Sequence, residues 1–183
     1  MGNSKTRRKS LSHCTTKVGS LFSLILFSFI CVFLFNACSS KPAIDPNSNL
    51  FVPKYTKFVT LDGKIKTFGD LRGKKTVVIF WTQWCRYSRP VIAKIDKYAA
   101  SVQNRRDLYF LAISLDKEQD FEILKEEISR RELNNLNHAF SGAEFYDEAF
   151  MVFGGSNLPL VYIIDEKGKL IAAGDSEEVL DIL

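Results

Sequence analysis

Two uninterrupted apolar runs, Thr76–Trp81 (TVVIFW) and Leu108–Ile113 (LYFLAI), predict strands that are covered on both faces. Between and after them the periodicity changes. Apolar residues recur at helical spacing from Arg86 to Val102, and a charged amphipathic helix is predicted from Glu118 to Arg131. Strands that alternate with helices in this way predict an α/β fold, with a central mixed sheet and helices on both faces.

Two turn signals predict β-hairpins near the ends of this region, Asp62-Gly63 and the four residues Asp165–Gly168. The strands that they join are Lys57–Leu61 with Lys64–Thr67, and Leu160–Ile164 with Leu170–Ala173. The remaining pattern predicts a short extended piece and two further helices: Leu136–Phe140, Glu144–Phe153 and Ser176–Leu183.

The N-terminal segment carries the pattern of an export signal. A basic stretch precedes fifteen strongly apolar residues, Leu21–Phe35, a run too short for a full membrane span of about 20 residues. The Ala37-Cys38 pair that follows resembles a bacterial lipoprotein cleavage site, at which Cys38 would carry the lipid. The alternatives are an uncleaved signal anchor and, from the residues after Gly2, N-myristoylation in a cytosol.

The domain organisation follows from this leader and from the proline-rich stretch behind it. Residues 39–54 hold three of the five prolines and predict a tether. We therefore interpret residues 1–38 as a lipoprotein leader and residues 55–183 as one folded domain. The domain is expected outside the cytoplasm, held to a membrane by the lipid or the signal anchor.

The net charge of +4 belongs to the leader rather than to the domain. Residues 1–38 contain five of the 25 basic residues and none of the 21 acidic ones, which leaves the rest close to neutral. A neutral domain has no electrostatic footprint for nucleic acid, so nucleic acid is excluded as a partner.

Cysteine use singles out one residue. Of the four cysteines, Cys14 and Cys31 fall inside the leader and Cys38 is the predicted lipid site, which leaves Cys85. Exported domains usually carry cysteines in pairs, so one that is left over suggests a reactive thiol or an intermolecular partner.

The chemistry is expected where the first buried strand ends and a helix begins at Cys85. The first amides of the helix would point at the sulfur, and Arg86 and Arg89 add positive charge. We therefore expect the thiol pKa to lie about one to two units below its free value of about 8.5. Trp81 and Trp84 are expected to pack around the site.

Two longer stretches, TLDGKIKTFGDLRGKKTVVIFWTQWC and LPLVYIIDEKGKLIAAG, resemble the TlpA/ResA-like branch of the thioredoxin superfamily. The resemblance implies a thioredoxin-like fold with an N-terminal β-hairpin and one helix-strand insertion. It implies that Pro159 is a cis-proline beside the active cysteine, and that Leu158-Pro159 presents backbone to a partner's disulfide. The catalytic residues would be Cys85, Ser88, Trp84 and Pro159, with Arg86, Tyr87 and Leu158 in contact with substrate.

The sequence departs from that branch at the residues that would complete a dithiol cycle. Ser88 occupies the position of the second cysteine, and the two positions where related proteins keep an acid hold Ile79 and Val91. The prediction is therefore a monothiol oxidoreductase without a cofactor. Its partners would be a disulfide-containing protein or a low-molecular-weight thiol that completes the cycle.

Two other functions remain open. Thr82 lies three residues before Cys85, as in peroxiredoxins, although Val78 replaces the proline of those enzymes. Alternatively, the fold serves as a membrane-tethered interaction domain without catalysis. His138, the one histidine after the leader, is expected to be structural, no cluster of metal ligands is present, and the charged helix is expected to be solvated on its polar face.

Overall fold

The computed structural model describes residues 50–183, in which a five-stranded mixed sheet lies between two layers. The strand order is β5-β4-β3-β6-β7. Strand β3 pairs in parallel with β4 and antiparallel with β6, so the sheet is mixed as the sequence predicts. The strands are β3 (Lys75–Trp81), β4 (Leu108–Ser114), β5 (Asn137–Phe140), β6 (Leu160–Ile164) and β7 (Leu170–Gly174), with a separate hairpin of β1 (Lys57–Val59) and β2 (Ile65–Thr67).

The helices cover both faces of the sheet. The α-helices are α1 (Ser88–Ser101), α2 (Phe121–Arg130) and α3 (Glu148–Phe153), and short 3-10 helices span Phe68–Leu71, Glu118–Asp120, Glu144–Tyr146 and Glu177–Ile182. Helix α2 and strand β5 form the predicted helix-strand insertion. The predicted final helix is a single 3-10 segment, and the one predicted before β6 is divided at Asp147, whose side chain caps α3 by accepting a hydrogen bond from the Phe150 amide.

Alternate residues of β3 divide the core into two halves, because successive side chains of a strand point to opposite faces. Val77, Ile79 and Trp81 pack with α1 and α2, whereas Val78 and Phe80 pack with α3 and the N-terminal hairpin. This central strand is almost wholly buried. The turn that follows β3 is therefore fixed from below by the sheet.

The last residues of the predicted tether belong to the folded domain. Val52 is buried, its amide donates to the Gly168 carbonyl, and its own carbonyl accepts a hydrogen bond of 2.7 Å from Arg72. Leu50 and Phe51 pair with the edge of β7. The domain therefore includes residues 50–54, whereas Cys38 and the predicted leader lie outside the described residues.

Candidate functional site

Cys85 lies in the turn between β3 and α1. Its amide donates to the Thr82 carbonyl (3.3 Å), and the Arg89 amide donates to the Cys85 carbonyl (3.3 Å). The second bond has helical spacing, so helical geometry begins at Cys85, three residues before the first residue of α1. The side chain is buried, with 8% of its surface exposed, and no other cysteine occurs in residues 50–183.

The pKa of the Cys85 thiol is lowered from its ordinary value, in the expected direction. Burial is the largest single influence and raises the pKa. The Ser88 hydroxyl, the backbone amides of Ser88 and Tyr87, and the charge of Arg89 act in the opposite direction and outweigh it. Because the thiolate is the nucleophile in disulfide exchange, the turn favours the reactive form of Cys85.

Ser88 stands one helical turn from Cys85 and is fully buried. Its hydroxyl has no partner of full hydrogen-bond geometry among the described residues, yet it is close enough to the sulfur to lower the thiol pKa. A hydroxyl can donate to a thiolate but cannot attack a disulfide. The second position of the turn therefore supports an anionic sulfur without supplying a second thiol.

The outer surface of the turn is aromatic and positively charged. Trp84 and Tyr87 are 56% and 63% exposed, and the Arg86 guanidinium lies 4.8 Å from the centre of the Tyr87 ring. Trp81 packs in the core, whereas Trp84 belongs to neither half of the core and leaves more than half of its surface exposed beside Cys85. Trp84, Arg86 and Tyr87 are thus available to an incoming molecule.

The Leu158-Pro159 peptide bond is cis, as the resemblance implied. Pro159 is buried and Leu158 is half-buried. Because Leu160 pairs with Phe80, Pro159 lies at the sheet edge where β3 ends and the cysteine turn begins. The topology therefore brings both predicted parts of the site, more than seventy residues apart in sequence, to one edge.

Asp116 is a buried acid at this edge that sequence reasoning missed. It follows the end of β4, and its Oδ2 accepts hydrogen bonds from the Ser114 hydroxyl (2.6 Å) and the Gln83 amide (2.9 Å). Burial raises its pKa, although these two donors oppose the change. The available signal was topological: the carboxyl ends of the parallel strands β3 and β4 meet at one edge, so an acid just after β4 lies near the cysteine turn.

The prediction of a purely solvated charged face on α2 is wrong at Glu127. This carboxylate is 8% exposed and is surrounded by the guanidinium groups of Arg89, Arg130 and Arg131. Arg89 also donates from Nε to the Gln83 carbonyl at 2.8 Å. It thereby links the cysteine turn to α2.

The remaining candidates are His138, metal-binding groups and membrane-spanning helices within the described residues. The His138 ring hydrogen-bonds the Leu133 carbonyl through Nε2 (2.8 Å), and burial lowers its pKa. Residues 50–183 contain no grouping of side chains that could hold a metal ion. Within the same range, no helix has the length and apolar character needed to cross a bilayer.

Solved structures of similar fold include a thiol-disulfide oxidoreductase from Bacteroides fragilis NCTC 9343. It is 20% identical, has a TM-score of 0.64, and is matched over 72% of this chain and 94% of that one. The thioredoxin domain of a thiol-disulfide oxidoreductase from Bacteroides vulgatus is 17% identical, has a TM-score of 0.62, and is matched over 72% of this chain and 91% of that one. A secreted disulfide oxidoreductase from Mycobacterium tuberculosis is 19% identical, has a TM-score of 0.54, and is matched over 66% of this chain and 82% of that one.

These likenesses establish the thioredoxin-like fold. A comparison with curated protein sequences gives no match. The model of the AhpC/TSA family, by contrast, matches residues 51–173, which is most of the described domain and includes both the cysteine turn and the cis-proline. The chain therefore belongs to the AhpC/TSA family.

Proposed function

We propose that this protein is a monothiol thiol-disulfide oxidoreductase in which Cys85 is the only reacting sulfur. The observation that carries the proposal is the Cys85–Ser88 turn. It holds a thiol with a lowered pKa and, one turn later, a buried hydroxyl where a dithiol enzyme would need a second thiol. The Cys85–Ser88 turn and the cis-proline Pro159 support the proposal of a TlpA/ResA-like protein in which a serine occupies the position of the resolving cysteine.

The reaction proceeds by two exchanges. The Cys85 thiolate attacks one sulfur of a substrate disulfide, a new S–S bond forms, and the other sulfur leaves as a thiolate that takes up a proton. Ser88 cannot attack the resulting mixed disulfide. Two molecules of an external thiol then supply two electrons, release the second substrate sulfur and restore Cys85, while they themselves become a disulfide.

The named activities of the similar structures support this chemistry. The proteins from Bacteroides fragilis and Bacteroides vulgatus are thiol-disulfide oxidoreductases, and the mycobacterial protein is a secreted disulfide oxidoreductase. In this chain the exposed Trp84 and Tyr87 and the Leu158-Pro159 backbone would receive the substrate disulfide, with Arg86 at the rim.

Trapping the mixed disulfide tests the proposal. Incubation of the purified chain with a small symmetrical disulfide is expected to give a stoichiometric adduct on the Cys85 peptide, read by mass spectrometry after alkylation. Because residues 50–183 contain no second cysteine that could remove it, the adduct should persist until a reductant is added. The Cys85→Ser variant is the control and should carry no adduct at this peptide. A wild-type Cys85 that stays unmodified at neutral pH would overturn the proposal.

A peroxidase is the second candidate, favoured by Thr82. Its hydroxyl is buried, has no hydrogen-bond partner among the described residues, and lies three residues before Cys85. The same preparation separates the two functions. Rapid consumption of hydrogen peroxide, with a sulfenic acid trapped on Cys85, and slow reaction with disulfides would favour the peroxidase.

We also propose that the domain acts outside the cytoplasm and is anchored to a membrane by a lipid on Cys38. The export pattern of the leader and the secreted mycobacterial structure support this location. Metabolic labelling of cells with a fatty acid is expected to mark the wild-type chain and not Cys38→Ser, because that thiol is the attachment point. Equal labelling of the two chains would contradict the lipid site.

A further inference from the structure

Three arginines converge on one buried carboxylate beside the cysteine turn. Arg130 donates to Glu127 Oε2 from Nε (3.1 Å) and Nη2 (2.6 Å), and Arg131 donates from Nε to Oε1. The Nε of Arg89 lies 3.7 Å from the same Oε1. The four side chains come from α1, from α2 and from the residue after α2, and form a single cluster, called here the arginine cluster.

The arginine cluster carries more positive charge than Glu127 can neutralise. Burial raises the pKa of Glu127, but Arg130 and Arg131 outweigh this and hold it below its ordinary value, so the carboxylate is ionised at neutral pH. Three cations therefore face one anion. A guanidinium has five N–H donors, and the contacts to Glu127 and Gln83 use the Nε groups and one Nη, so most donors remain for another acceptor.

The cluster is accessible and begins next to the reacting sulfur. The side chains of Arg89 and Arg130 are 36% and 61% exposed. The Arg89 side chain is held by its hydrogen bond to the carbonyl of Gln83, which lies two residues before Cys85. The positive charge of Arg89 helps to lower the pKa of the Cys85 thiol. An anionic group bound at the Arg89 end of the cluster would thus lie near Cys85.

We propose that the arginine cluster binds the carboxylate of a small anionic thiol and delivers that thiol to the mixed disulfide on Cys85. The inference rests on the proposed function, since it names the chemical class of the external thiol that a monothiol site requires. Guanidinium groups bind carboxylates through paired, charge-assisted hydrogen bonds, which a neutral or cationic thiol cannot make.

The thiol acts twice in the cycle. Its thiolate first attacks Cys85 Sγ, the bond from Sγ to the substrate sulfur breaks, and the reduced substrate leaves and takes up a proton. A second molecule attacks the sulfur of the first, Cys85 leaves as a thiolate, and the two small thiols leave as their disulfide. Each attack brings an anion towards a site that already holds an anion-forming sulfur, and the cluster offsets that repulsion.

The test compares thiols that differ in charge. The full chain in detergent, with Cys85 as its mixed disulfide with methanethiol, is mixed at low salt with 3-mercaptopropionate or with 2-mercaptoethanol at equal thiolate concentrations. Loss of the adduct is followed on the Cys85 peptide by mass spectrometry. We expect the anionic thiol to act about tenfold faster in the wild type, since the two thiols differ chiefly in the carboxylate.

Variants locate the effect. Arg130→Gln and Arg131→Gln should each lower the anionic-to-neutral rate ratio at least threefold, and the circular dichroism spectrum of each variant checks that the domain is folded. Arg106→Gln is the matched control. It removes the same charge from an exposed residue that precedes β4 and therefore lies at the opposite end of the sheet, and the ratio should not change.

Several outcomes overturn the inference while the proposed function stands. They are a wild-type ratio near one, a ratio that neither cluster variant changes, and an equal drop in Arg106→Gln, which would indicate net charge alone. Faster resolution by an acidic cysteine peptide than by 3-mercaptopropionate would assign the cluster to a protein partner instead. Failure to form any adduct on Cys85 would remove the proposed function, and this inference with it.

Discussion

Replacement of Ser88 by cysteine is expected to convert the site into a dithiol that reduces protein disulfides through an internal bridge. The Arg89 amide already bonds the Cys85 carbonyl at 3.3 Å, so positions 85 and 88 are separated by one helical turn, a spacing that a disulfide can span. Mixed disulfides on Cys85 should then disappear as they form. Reduction of insulin with a thiol donor should rise by about tenfold or more, measured by turbidity.

The gain is expected to be incomplete, and its control is Ser88→Ala. Ile79 and Val91 are buried and apolar, so neither can accept the proton of the new thiol. Ser88→Ala removes the same hydroxyl without adding sulfur. It should raise the thiol pKa, because that hydroxyl lowers it in the wild type, and it should leave mixed disulfides long-lived. If Ser88→Cys forms no internal disulfide, or its adducts persist as in the wild type, the monothiol mechanism is wrong.

The sequence predicted the fold well where one physical signal dominated. The apolar runs of β3 and β4 are strands within a residue of their predicted ends, because a strand buried on both faces has few polar positions to blur the pattern. The type of helix at the C-terminal end could not be predicted from the sequence. The short acidic stretch Glu177–Ile182 fits an α-helix and a 3-10 helix equally well, and contacts with the sheet decide between them.

For the candidate site, the sequence likewise predicted the residues that act locally and missed those that depend on long-range contacts. Cys85 and Ser88 were visible because they are close in sequence and the chemistry of a helix start acts locally. Asp116 and Glu127 were not, because their significance depends on contacts with Gln83 and Arg89, which lie more than thirty residues away. A charged helix pattern alone cannot reveal which of its acids turns inward.

Asp116 supports the cysteine turn from below, and its loss is expected to destabilise the domain. Asp116→Ala removes the acceptor for the Ser114 hydroxyl and the Gln83 amide, both of which lie at or beneath the turn. Hydrogen bonds to a buried carboxyl are among the stronger ones, so the free energy of unfolding should fall by about 2–4 kcal/mol, measured by denaturant titration. Asp181→Ala, at an exposed acid, is the control and should change it by less than about 0.5 kcal/mol.

Comparison with Asp116→Asn isolates the charge of this residue, because the amide keeps the shape but does not titrate. Burial raises the pKa of Asp116 in the folded protein, and the negative charge of Asp120 acts in the same direction. The folded state therefore binds the proton at a pH where the unfolded chain has already lost it. Stability from this group is present below the unfolded pKa of about 3.9 and is lost as the pH rises through the folded value. The wild type should consequently gain stability relative to Asp116→Asn as the pH is lowered from 7 to 4. A difference that is constant over that range, or that shrinks on acidification, would show that the buried carboxyl is ionised in the folded domain at no cost.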